Sequence, residues 1–217
     1  MCFSARISLL TFIIGIIGSI LVYTLEGPSN KIISFFLAFV SFMQLIEYFL
    51  WKNQICNNSN KLLSKIGMWL NHLQPVVLGL LVIIFNNTTP IIYYISLIIF
   101  LYLCGIIPYS LQYKDINNLQ CTIHNIKTQH LNWKWNTLKY ATLIYSLFFL
   151  SALILIFYIG LPNKTLKIYA VIITIITYIS SIIIYRNNVG ALWCFYTAFI
   201  PIIYYLYCKL FNKFIGV

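Results

Sequence analysis

The chain has 217 residues, 61% of them hydrophobic and only 8% charged, with a formal net charge of +11. A soluble domain carries roughly 25% charged residues, so this composition excludes a water-soluble globular protein and predicts one polytopic membrane domain over residues 1–217. The Lys and Arg residues stand singly beside apolar runs, which argues for headgroup contact and orientation in the bilayer, and against nucleic-acid binding.

Seven apolar stretches each approach the ~20 residues needed to cross about 30 Å of hydrocarbon. In chain order they are Ile7–Leu25, Ile32–Trp51, Ile66–Phe85, Ile91–Gln112, Leu138–Ile159, Leu166–Tyr185 and Ala191–Lys209. The expected fold is therefore all-α, an integral membrane bundle of seven transmembrane helices. The first stretch follows Arg6, lacks a small-residue cleavage site and stops at Leu25-Glu26-Gly27-Pro28, so it is expected to be a retained helix. Its Gly15 and Ser19 make a small-xxx-small step for close helix packing. Four of the connections carry breakers, such as Gly27-Pro28-Ser29-Asn30 and Gly160-Leu161-Pro162-Asn163. Lys52–Lys65 reads as a polar connection of medium length, and Tyr113–Thr137 as the longest loop.

An odd number of spans sets the termini on opposite sides. Face A carries the N-terminus and the second, fourth and sixth connections; face B carries the others and the C-terminus. All five tryptophans, Trp51, Trp69, Trp133, Trp135 and Trp193, fall on face A. Interfacial aromatic belts occupy both surfaces, so this one-sided placement points to something structural or functional there. Nine of the fourteen Lys and Arg also fall on face A and five on face B, which predicts a cytoplasmic N-terminus. The cysteines pull the other way: Cys56 and Cys121 lie in two different loops of face A, and a bond between them would require an oxidising side.

Ionisable groups inside spans are costly and mark candidate sites. Glu47 is the clear acid. Ser41, Gln44, Glu47 and Trp51 recur at helical spacing and share one face of the second span. The third span offers Asn71, His72, Gln74 and Pro75; Asn71 and Gln74 share a face, while His72 points elsewhere. Counted from Lys52 and Lys65, Glu47 and Asn71 both lie roughly 7–9 Å inside face A, and Trp193 and Cys194 of the seventh span reach the same depth. The candidate binding layer is thus Glu47, Gln44, Asn71, His72, Gln74, Trp51 and Trp193. It serves equally as a polar lock between helices or as a pocket with a titratable carboxylate. Pro75 is placed to kink the third span and free carbonyls beside it.

The fourth connection carries Cys121, His124 and His130, which with Cys2 are candidate metal ligands, but the spacing matches no standard finger. Solvated loop histidines are the favoured reading. Loss of the initiator Met would give Cys2 a free amine beside its thiol; a buried or lipid-modified thiol is the plainer alternative. A retinal protein needs a lysine well inside its last span, and the seventh has only Lys209 at its end, so retinal is not expected. No other cofactor is assigned.

The opening Met1-Cys2-Phe3-Ser4-Ala5 resembles a family of uncharacterised multi-pass membrane proteins, with a domain of unknown function, that begin Met-Cys-Trp-Ser-Ala or Met-Cys-Phe-Ser-Ala. The resemblance runs through Gln54-Ile55-Cys56 and His72-Leu73-Gln74-Pro75, about the first third of the chain. It implies that Cys2, Ser4, Cys56, Gln74 and Pro75 belong to one pattern, and implies no activity. Three functions fit these readings: a small transporter or channel for a small molecule or ion; a membrane-embedded enzyme or metal or redox protein using Cys2 and histidines; and a structural or assembly protein.

Overall fold

A computed structural model describes residues 4–86, 88–113, 120–125, 130–184 and 189–212. The described residues form helices α1 (Ala5–Tyr23), α2 (Pro28–Lys52), α3 (Asn58–His72), α4 (Gln74–Asn86), α5 (Thr89–Gln112), α6 (Ala141–Gly160), α7 (Lys164–Ile184) and α8 (Val189–Asn212). A small antiparallel hairpin, β1 (Ile123–Asn125) and β2 (His130–Asn132), pairs His124 with Leu131. Five helices, α1, α2, α5, α6 and α7, are long and apolar enough to cross a membrane, and a sixth span results if α3 and α4 are taken as one bent unit.

The burial pattern is that of a protein in an apolar solvent. Leu10, Ile17, Tyr93, Phe100, Leu147 and Ile183 are exposed on the outer surface, while Ser8, Thr11, Gln44, Glu47, Asn71 and His72 are buried. A water-soluble bundle shows the reverse preference. Helix α2 lies at the centre, packed against α1, α3, α4 and α8; α4 leans on α5 and α6, and α7 closes the ring between α6 and α8.

Local chemistry explains the boundaries. Pro28 opens α2, where its missing N–H costs nothing, and Gly27 before it takes φ +99°, a left-handed value that favours glycine. The stretch Lys52–Lys65, expected as a connection, is more than half helix. Asn57 caps α3 by accepting from the Asn60 amide at 2.9 Å. The buried stripe of α3 is Asn60, Ser64, Gly67, Met68, Asn71 and His72, so its inward face is polar or small, and a hydropathy reading misses it. The expected third helix, Ile66–Phe85, is two helices that meet at Leu73 with a bend of 48°. The longest loop, Tyr113–Thr137, contains the hairpin and a 3-10 turn at Lys134–Thr137.

Helix α1 docks through its small residues. A Cβ on Gly15 would stand 2.2 Å from the Ser41 hydroxyl, and one on Gly18 would stand 2.7 Å from the backbone nitrogen of Ile202. The second obstacle is main chain and cannot rotate away. Gly18→Val is therefore expected to lower stability by about 1–3 kcal/mol, the usual cost of overpacking, read as an earlier thermal unfolding midpoint in detergent; an unchanged midpoint would show that α1 can slide on α8.

Candidate functional site

The bend at Leu73 follows from Pro75, which has no N–H to offer the Asn71 carbonyl. The interrupted helix turns its polar side chains in two directions. Toward α8, Gln74 Nε2 donates to Asn71 Oδ1 at 3.5 Å and to Cys194 Sγ at 3.5 Å, and Trp193 Nε1 donates to Gln74 Oε1 at 3.0 Å. Glu47 and Gln44, three residues apart on α2, are both fully buried, and Glu47 lies close enough to the Cys194 thiol to act on it electrostatically. Asn71, Gln74, Trp193 and Cys194 are thus brought together from the α3–α4 joint and α8, and Glu47 of α2 lies near Cys194.

Toward α5 and α6 the joint presents His72. Its Nδ1 lies 2.8 Å from Ser110 Oγ and its Nε2 lies 2.6 Å from the Tyr145 hydroxyl. The Ser110 hydroxyl gives its one hydrogen to the Ile106 carbonyl at 2.7 Å, so Nδ1 must carry the proton and donate to Ser110. Nε2 then accepts from Tyr145, which fixes a neutral imidazole in one tautomer. Tyr102 donates to the His72 carbonyl at 2.6 Å, satisfying a main-chain group at the bend. Tyr145 stands in the π-helical stretch Ile144–Leu150 of α6, a distortion frequent at functional sites. Asn71 lies beside Tyr145 as well as Gln74 and bridges the two networks.

His72 turns toward α5 and α6 and away from Gln74 and α8, because it and Asn71, adjacent on the helix, point about 100° apart. Trp51 is also elsewhere: its ring lies 5.1 Å from that of His124 in β1, over the hairpin and outside the polar layer. Sequence reasoning missed Ser110 and Tyr145. Both sit in spans that carry several hydroxyl residues, such as Ser96 and Tyr102 in α5 and Ser146 and Tyr158 in α6, so a single Ser or Tyr among them gives no distinct signal.

Face A is closed by a cap. Cys56 and Cys121 are joined in a disulfide with their Cα atoms 5.5 Å apart, which removes Cys121 from the candidate metal ligands. Fully buried Asn60 holds the hairpin: its Nδ2 donates to the carbonyls of Asn53 (2.7 Å) and Thr122 (3.0 Å), and its Oδ1 accepts from the Thr122 amide at 3.0 Å. The His124 amide donates to Gln54 Oε1 at 2.6 Å. Trp133 and Trp135 are fully buried, with ring centroids 5.3 Å apart, and the Trp133 ring fills the space over Gly67, where a Cβ would meet it at 2.7 Å. Three of the five face-A tryptophans, Trp133, Trp135 and Trp193, are therefore core residues. Among the described residues no three His, Cys, Asp or Glu side chains come together as a metal site would require; Cys2 lies outside the described residues. The chain matches no family model, no curated protein and no solved structure.

Burial in the cap, with His124 nearby, lowers the pKa of His130 from 6.5 to about 4. A folded-state value below the unfolded one means that the folded cap favours the neutral ring. Its contribution to stability is complete above about pH 6.5 and is lost as pH falls toward about 4. The protection factors of the hairpin amides, exchange rates divided by the base-catalysed intrinsic rate at each pH, are expected to fall as pH drops across this window and to lose that dependence in His130→Gln. Protection factors that stay constant across the window in the unsubstituted protein would contradict the assignment.

Proposed function

We propose that this chain is a seven-span membrane protein and a small carrier, with Glu47 as a proton-accepting group in a polar layer between α2, the α3–α4 joint and α8. The broken span carries the reading. Carriers build their sites from discontinuous helices whose freed polar groups face a partner helix near the middle of the membrane, and here Gln74 stands at the break, bonded to Trp193 beside buried Glu47. A packing lock needs only an amide, whereas a carboxylate adds a titratable charge. Helix α8, 24 residues long and so about 36 Å, supplies the seventh span to the five single helices and the bent pair. Three cavities bordered by α8 are not lined by Glu47, which fits a closed conformation of such a carrier. The resemblance to the Met-Cys-Trp/Phe-Ser-Ala proteins is consistent with this plan, since the residues that carry it sit at joints: Ser4 caps α1, Cys56 ties the cap, and Gln74 and Pro75 make the break.

Cys194 offers a native reporter of the layer. With Cys2, Cys104 and Cys208 replaced by serine, a small water-soluble thiol reagent is expected to modify Cys194 slowly in proteoliposomes. Glu47→Gln should change that rate about tenfold, corresponding to a shift of about 1.4 kcal/mol between closed and open states. Complete protection of Cys194 at every pH, with full labelling after unfolding, would make the layer a sealed lock and favour the structural reading.

The disulfide supports placing face A and the N-terminus on an oxidising side, opposite to the orientation predicted from the Lys and Arg count. We favour the covalent constraint over a charge bias. A C-terminal epitope tag is then expected to resist protease added to intact cells and to be cut after lysis; cleavage in intact cells would restore the orientation given by the charges.

A further inference from the structure

A groove of about 560 Å³ runs between α7 and α8 on the outer surface, within the roughly 300–1,000 Å³ range of small-molecule sites. Its walls are almost wholly apolar and include Tyr169, Ile176, Phe199 and Ile203. Ile176 and Ile203 are 57% and 63% exposed, so the groove opens laterally, toward lipid. Along α7 its lining extends from Tyr169 to Ser180. At 1.5 Å per residue this is about 17 Å, starting some 8 Å from the face-B end of the helix. About 17 Å is close to half of a ~30 Å hydrocarbon core, the reach of an acyl chain from one leaflet.

A second cavity of about 510 Å³ adjoins it on face B, lined in part by Glu26, Asn30, Asn163 and Lys209. Tyr204 lines both, and its hydroxyl donates to Asn30 Oδ1 at 2.8 Å, tying α8 to the start of α2. An apolar slot one leaflet long thus leads past a tyrosine into a polar crevice that holds one carboxylate and one ammonium. The opposed charges select the occupant. A phosphate is drawn to Lys209, and a primary ammonium to Glu26 and the amide oxygens. A purely anionic headgroup would leave Glu26 opposed to it, and a quaternary ammonium has no N–H to donate.

We propose that the α7–α8 groove and the adjoining face-B crevice together bind one phospholipid of the face-B leaflet that carries a primary-amine zwitterionic headgroup. The site is independent of the Glu47 layer and does not rest on the carrier reading.

Native mass spectrometry of the full chain, released from nanodiscs of mixed phosphatidylethanolamine, phosphatidylcholine and phosphatidylglycerol, tests it. One retained phosphatidylethanolamine per chain is expected. Glu26→Gln should reduce its preference over phosphatidylcholine about tenfold, as for loss of one charge-assisted hydrogen bond. Ile203→Trp should fill the groove and abolish retention of any lipid, whereas Leu10→Trp, at a position 59% exposed on α1 away from the groove, should retain it and control for folding. Equal retention of the three lipids, or retention undiminished by Ile203→Trp, would overturn the proposal. A dimer without lipid that Ile203→Trp converts to monomers would overturn it in favour of a second copy seated in the groove.

Discussion

Inside a bilayer a main-chain carbonyl that loses its partner has no water to turn to, and Pro75 creates that situation in the middle of an apolar span. The Asn71 carbonyl is deprived of the N–H it would otherwise receive from the fourth residue on, and α3 and α4 part by 48°. The rest of the core is arranged around this break. Tyr102 satisfies the His72 carbonyl from α5. The His72 ring is held from both sides by Ser110 and Tyr145. Gln74 reaches α8 through Trp193 and Cys194. Side chains from three other helices, α5, α6 and α8, thus meet at the break.

The cap on face A is a second consequence of polar groups lying where apolar ones would be expected. The inward stripe of α3 has Asn60 and Ser64 at its outer end, and these bond the main chain of the hairpin where leucines would only have packed. The disulfide fixes the same junction covalently. Trp133 and Trp135 then cover the upper end of the bundle, with Tyr109 donating to the Trp135 carbonyl from α5. The concentration of tryptophan on one side is explained by packing of this cap over the polar joint.

The sequence made the apolar helices legible because hydropathy over about 20 residues reports lipid exposure directly, and most helix ends fall within a few residues of the expected ones. The meeting of Asn71, Gln74 and Trp193 was legible because depth can be counted from helix ends at 1.5 Å per residue. Two features were hidden for physical reasons. Helix α3 has a polar buried stripe, so Asn58–Lys65 reads as a loop. The His72 network depends on which way a side chain turns at a bend and on hydroxyls from helices distant in sequence, and neither quantity is encoded locally. Trp51 was misplaced for the related reason that the hairpin it packs against lies some 70 residues further along the chain.

The surroundings of Trp193 constrain the carrier proposed above. Beside it, in the same layer, lies Gln74; toward face B a narrow cavity of about 60 Å³ descends between α2, α6, α7 and α8, walled by Phe36, Leu37, Phe157 and Ile200. That column shares Tyr169, Ile173, Ile200 and Tyr204 with the lateral groove. A strongly polar solute leaving the Gln74 layer toward face B would surrender its hydrogen bonds and gain none, at a cost of several kcal/mol per unsatisfied group. An amphiphilic solute faces a smaller barrier, because its apolar part loses no hydrogen bonds on passing the apolar wall. For the carrier proposed above, this geometry makes the polar layer a poor conduit for ions and suits it better to an amphiphilic molecule.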